Sequence, residues 1–313
     1  MDPLRFLVDE HGFFTRAEAR AFGYGDRDVA AAVRQGRWIR FRRGSYSLAD
    51  AWSALDDVGR HRVRAHAVLR SLGPSVALSH VSGALEHGID TWGLDLSRVH
   101  VTRLDGGAGR VEGDVVHHEG FCLDSDVHEV DGHRVLVPER CALEAASRAP
   151  ADAALVLFDS LLHRQLASPE DLMRRFTLMQ YWPRTRHLHL AVRMADGRAE
   201  SPGESRSRYL FWAHGLPAPI SQFEVYDEHG ALIGVADWGW PEHRLLGEFD
   251  GRVKYGRLLE PGRDPGDVVF AEKQREDRLR EATGYAMVRL VWADLDRPRY
   301  TARRIERLMR QAC

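Results

Sequence analysis

The chain has 313 residues, 44% of them hydrophobic and 29% charged, which is the balance of a folded protein with a sizeable core and suggests two or three domains. With 44 Lys and Arg against 46 Asp and Glu, the formal charge is −2, so any attraction to nucleic acid must come from a local patch. No run of about 18 apolar residues exists, which excludes a spanning helix, and three scattered cysteines argue against a disulfide framework or thiolate metal cluster; the expected setting is the cytoplasm.

The first fifty residues read as three short helices and a hairpin. Leu4, Phe6, Leu7 and Val8 form an apolar face that Gly12 stops. Thr15 and Glu18 have the spacing of a capping box and open a second helix. Asp26 is a candidate cap for a third helix, Arg27 to Gln35. Between Trp38 and Leu48, apolar and basic residues alternate around Arg43-Gly44, the pattern of a hairpin. Helix, helix, helix and basic hairpin is the order of a winged helix-turn-helix. Arg37, Arg40, Arg42 and Arg43 are the candidate phosphate contacts, although a charged edge strand that deters aggregation would carry a similar pattern.

Residues 51–60 read as a linker. The stretch that follows, to about residue 195, mixes helices (62–72, 79–85 and 139–179) with strands near 99–102, 114–118 and 133–137. Ten of the 16 histidines lie between His61 and His163, yet none has a helical metal-ligand spacing backed by a carboxylate, so structural histidines are expected. Ser82 lacks the Gly-x-Ser-x-Gly elbow of a hydrolase.

The C-terminal third carries the chemistry. A helix opens at Ser201-Pro202-Gly203-Glu204, and three antiparallel strands follow over 222–226, 231–238 and 245–250. A turn centred between Glu242 and His243 sets Asp237 opposite Glu248, with Asp250 on the same face. Carboxylates gathered in this way repel one another, and a divalent cation would account for them; a one-residue slip would instead leave each of them solvated. Glu204 fits a capping box with Ser201 equally well as a metal ligand. Beyond these strands, 272–283 reads as a charged helix, 285–292 as a strand and 301–310 as a basic amphipathic helix. Only two lysines occur, Lys254 and Lys273, both in this segment.

Glu204, Asp237, Glu248-x-Asp250-Gly251 and the later Val288-Arg289-Leu290 resemble the PD-(D/E)xK nuclease superfamily, in its branch related to very-short-patch-repair endonucleases. The N-terminal unit, through residues 12–19 and Arg40-x-x-Arg43-Gly44-x-Tyr46, resembles the winged-helix domain of AbiEi-type antitoxins of abortive-infection systems. The resemblances imply an α/β multi-domain chain: a winged helix-turn-helix at 1–52, an α/β middle domain at 53–195, and a restriction-endonuclease-like core with a mixed sheet at 196–313. They further imply a Mg²⁺ or Mn²⁺ ion held by Asp237, Glu248 and Glu204, with phosphodiester hydrolysis on double-stranded DNA. Asp250 stands where the motif places lysine, so Lys254 or Lys273 would have to supply the cation. The alternative is a transcriptional regulator or antitoxin of a type IV toxin–antitoxin system whose nuclease-like domain is a degenerate scaffold. A homodimer and an operon-encoded toxin are the further partners to consider.

Overall fold

A computed structural model describes residues 3–251, 274 and 278–312. Contacts divide the chain into two compact units, one of residues 1–150 with 170–188, the other of 151–169 with 189–313.

In the first unit, helices α1 (Arg5–His11), α2 (Arg16–Ala21) and α3 (Asp26–Arg34) precede strands β2 (Trp38–Arg42) and β3 (Ser45–Leu48), and β1 (Phe14–Thr15) pairs with β3. Gly12 ends α1 with φ of 79°, a left-handed conformation that glycine adopts without strain. The Thr15–Glu18 capping box forms as expected, the Thr15 hydroxyl accepting the Glu18 N–H and the Glu18 carboxylate accepting the Thr15 N–H. Two local expectations fail. Phe6 is 68% exposed rather than part of the core, and Asp26 lies inside α3, ion-paired to Arg16 and Arg20, while Asp28 accepts the N–H of the capping residue Gly25. Leu4, Val8, Phe14, Ala19, Val29, Ala32, Trp38, Tyr46 and Leu48 close a core of their own.

The segment read as a linker is helical: α4 (Ala49–Ala54) is followed by α5 (Asp57–Leu72), whose first turn is capped by Asp56 accepting the Gly59 N–H. Strands β4 (Val76–Leu78), β5 (Val99–Arg103), β6 (Arg110–Glu112), β7 (Val115–His118), β8 (Val127–Val130) and β9 (His133–Leu136) form one sheet in the order β6-β7-β5-β4-β9-β8. β5 and β7 run parallel, because β6 reverses the chain between them. Helices α6 (His80–Glu86) and α7 (Pro138–Ala146) pack so closely that a Cβ on Gly83 would lie 2.3 Å from the Cys141 sulfur.

The second unit holds α8 (Ala151–His163), α10 (Leu188–Met194, from His189 onward) and α11 (Pro202–Ala213); α9 (Pro169–Met179) belongs to the first from Glu170. Its sheet orders β10 (Ile220–Tyr226), β11 (Leu232–Trp240), β12 (Leu245–Asp250) and β13 (Ala286–Val291) side by side. The first three are antiparallel and β13 runs parallel to β12, so the sheet is mixed. Helices α12 (Trp292–Leu295) and α13 (Pro298–Ala312) complete the unit. A buried ion pair from Arg208 of α11 to Asp159 of α8, with N–O of 2.8 Å, ties these helices together.

Candidate functional site

Two sets of residues are candidates: the basic hairpin of the first unit and the carboxylates of the second. In the hairpin, Arg40 pairs with Tyr46 but Arg42 pairs with Ser45, so one extra residue, Phe41, bulges from β2. The bulge turns Phe41 inward, where its ring stacks on Trp52 at 4.8 Å. It also turns Arg42 aside, into an ion pair with Asp114 that leaves it half-buried. Arg37, Arg40 and Arg43 remain exposed, with Arg37 donating to Gln35. Of the four expected arginines, three therefore form an accessible basic edge and Arg42 is occupied as a brace.

The sequence reading passed over a second basic surface. Arg27 and Arg34, both exposed on α3, stand two helical turns apart on one face, with Ala30 exposed and Ala31 half-buried between them. Their seven-residue spacing is legible in the sequence, but the denser basic run at 37–43 overshadows it.

In the second unit the expected register forms: Trp238 faces Gly247, Gly239 faces Leu246 and Trp240 faces Leu245. The ladder stops one step short of Asp237 and Glu248, because Asp237 turns its carboxylate onto the Phe249 N–H at 2.6 Å. Glu248 is 5% exposed and lies 3.5 Å from the Arg289 guanidinium, on the neighbouring parallel strand. Asp250 ends β12 half-buried. Glu204 is buried at the start of α11, where it accepts from the Ser201 hydroxyl at 2.6 Å, the Glu200 N–H at 3.1 Å and Gln222 at 3.2 Å. Burial pushes its carboxyl above the ordinary range, with those hydrogen bonds opposing. Gly203 is needed beside it, since a Cβ there would sit 1.9 Å from the Phe249 ring.

Hard carboxylate oxygens are the ligands Mg²⁺ prefers. As arranged, however, Glu204, Asp237 and Glu248 do not bring three ligand atoms within 4.8 Å of one another; among the described residues only two histidine-containing groups do so. Both oxygens of Glu204 accept hydrogen bonds at the start of α11, the capping role of the two left open by its spacing. Lys254 and Lys273, the expected cations of this centre, lie outside the described residues.

Comparison with known proteins bears on the first of these surfaces. Residues 1–49 match the sequence profile of a family described as transcriptional regulator, AbiEi antitoxin. The matched segment is the one that closes its own core around Trp38 and Phe14. Over 247 residues the chain is 28% identical to the Mycobacterium tuberculosis proteins MT2308 (strain CDC 1551) and Rv2248 (strain H37Rv), which covers 77% of this chain and 83% of each of those. Among solved structures, the RV2827C protein from Mycobacterium tuberculosis aligns at a TM-score of 0.38 and 14% identity, over 71% of this chain and 88% of that one.

Proposed function

We propose that this protein is a DNA-binding transcriptional regulator of the antitoxin type, gripping duplex DNA through a winged helix-turn-helix at its N-terminus. The observation that carries the reading is the coincidence of the antitoxin-regulator match at residues 1–49 with a segment that has its own core and two exposed basic edges. In this reading α3 enters the major groove, where Ala30 and Ala31 permit close approach and Arg27 and Arg34 reach base edges or flanking phosphates. Arg37, Arg40 and Arg43 of the hairpin then lie along the phosphate backbone, fixing position rather than sequence. A toxin encoded in the same operon is the protein partner that this reading implies. Fluorescence anisotropy with a duplex from upstream of the protein's own operon, beside a scrambled duplex, tests it. Tighter binding of the upstream duplex, weakening steeply with salt, is expected. Equal and salt-insensitive affinities would remove the regulator.

A metal-dependent nuclease centre on Glu204, Asp237, Glu248 and Asp250 is the second reading. It is supported by the hairpin register that brings Asp237 beside the end of β12, and by the parallel strand that follows. Against it stand the closed cap around Glu204, the Asp237 bond to the Phe249 N–H and the aspartate in the motif's lysine position. Plasmid incubated with Mg²⁺ or Mn²⁺ decides the matter: nicking by the unmodified chain that disappears in both Asp237→Ala and Glu248→Ala establishes the centre, whereas equal or absent nicking in all three dismisses it.

A further inference from the structure

The middle sheet and the helix beside it gather three histidines whose spacing in the sequence gives no metal-ligand pattern. His100 lies on β5 and His118 on the parallel strand β7, with the His100 Nδ1 and His118 Nε2 atoms 2.9 Å apart. His80, the first residue of α6, stacks its ring on His118 at 3.6 Å and faces His100 at 5.4 Å. One nitrogen from each ring lies within 4.8 Å of the other two. Tetrahedral zinc, with Zn–N of about 2.0–2.1 Å, holds its ligand nitrogens roughly 3.3 Å apart, inside that span.

Outer contacts hold the His80 ring in place. The Glu144 carboxylate, itself buried, lies 3.2 Å from the His80 Nδ1 atom and is anchored on its other side by Arg140 at 2.9 Å. That contact holds the ring through Nδ1, so Nε2 is the nitrogen that a carboxylate–histidine–metal arrangement would assign to the ion. His80 holds φ of 51°, a left-handed conformation costing a non-glycine residue of order 1–3 kcal/mol.

A cavity of about 230 Å³ opens onto His80 and His118, lined also by Thr102, Glu119, Ser147 and Arg148. Thr102 is 1% exposed, and its hydroxyl has no hydrogen-bond partner, an orphaned polar atom beside the rings. The buried Ser82 hydroxyl is no competing nucleophile: it is held between the His61 ring and the His100 N–H, each at 2.8 Å, and so fixes the start of β5 to α6.

We propose that His80, His100 and His118 form a site for a zinc-class divalent transition ion, with Glu144 orienting His80 and the fourth coordination position facing the Thr102 cavity. Three imidazole ligands select such an ion over Mg²⁺ or Ca²⁺, and three protein ligands leave one position open. The site does not depend on the DNA-binding reading.

The test uses the full chain, stripped with a chelator and titrated with Co²⁺ and then Zn²⁺. One Co²⁺ per chain is expected, with the intense visible spectrum of nitrogen-ligated tetrahedral or five-coordinate cobalt, displaced by one Zn²⁺. His118→Gln and His100→Gln should abolish that spectrum, and Glu144→Gln should weaken affinity about 10- to 100-fold. His66→Gln and His133→Gln remove ligands from the other histidine-containing group, His66, Glu86 and His133, and should leave it intact. The titration of the unmodified chain stands apart from any folding defect in the variants: no cobalt uptake at micromolar concentration overturns the site. So does a spectrum that survives in His118→Gln and His100→Gln, or one that vanishes in His66→Gln.

Discussion

The division of labour among the hairpin arginines gives the sharpest prediction. Arg37, Arg40 and Arg43 are exposed, whereas Arg42 is braced against Asp114. If each exposed arginine neutralises one phosphate, replacing all three by alanine removes about 0.9 per contact, or about 2.7 in all, from the slope of log affinity against log salt. Over a fourfold rise in salt, the triple variant should therefore lose roughly 40-fold less affinity than the unmodified chain. Arg42→Ala should leave that slope unchanged, although it costs stability by leaving Asp114 without its guanidinium partner. Anisotropy titrations at four or five salt concentrations, on one duplex, measure both slopes. A slope that drops equally in Arg42→Ala, or stays put in the triple variant, refutes the assignment of these side chains.

Two further outcomes follow from packing and charge. Trp38 is 1% exposed and packs edge-on against Phe14 at 4.8 Å and Tyr24 at 4.9 Å, so Trp38→Ala should cost about 3–5 kcal/mol in urea unfolding and abolish duplex binding; a loss under about 1 kcal/mol would show the aromatic core to be dispensable. Burial alone would raise the Glu144 carboxyl, but His80 and Arg140 overcome it and hold it down to about 2, against an ordinary 4.5. A depressed carboxyl stabilises the folded state above pH 4.5 and loses that contribution as pH falls toward 2, a loss that Glu144→Gln should erase from unfolding curves taken across that window. Parallel pH profiles for the two proteins would rule out that role.

What the sequence disclosed was local. The Thr15–Glu18 box, the Gly12 stop and the hairpin turn at Glu242-His243 depend on residues a few positions apart, and each forms. The bulge at Phe41 was illegible because one inserted residue barely disturbs an alternating pattern, yet it redirects Arg42 to an aspartate 72 positions away. The linker expected at 51–60 failed for a similar reason: its polar Asp56 is a helix cap, and its Trp52 covers Phe41. The histidine cluster was hidden more deeply, since its members come from a helix start and two strands joined in parallel only through the short return of β6. Spacing rules for metal ligands assume a single helix or hairpin, and cannot register a triad assembled by sheet topology. For the carboxylates, pairing was legible but side-chain direction was not, as Asp237 meets a backbone N–H rather than a second carboxylate.

Asp114, which holds the hairpin through Arg42, immediately precedes β7, and His118 is the last residue of that strand. Four peptide steps of extended chain, about 13 Å at ~3.3 Å per residue, thus join the arm that bears the arginines to the imidazole triad. A paired strand hardly stretches, so β7 holds Asp114 and His118 at a fixed separation and ties the hairpin to the sheet by a rigid element rather than a loop.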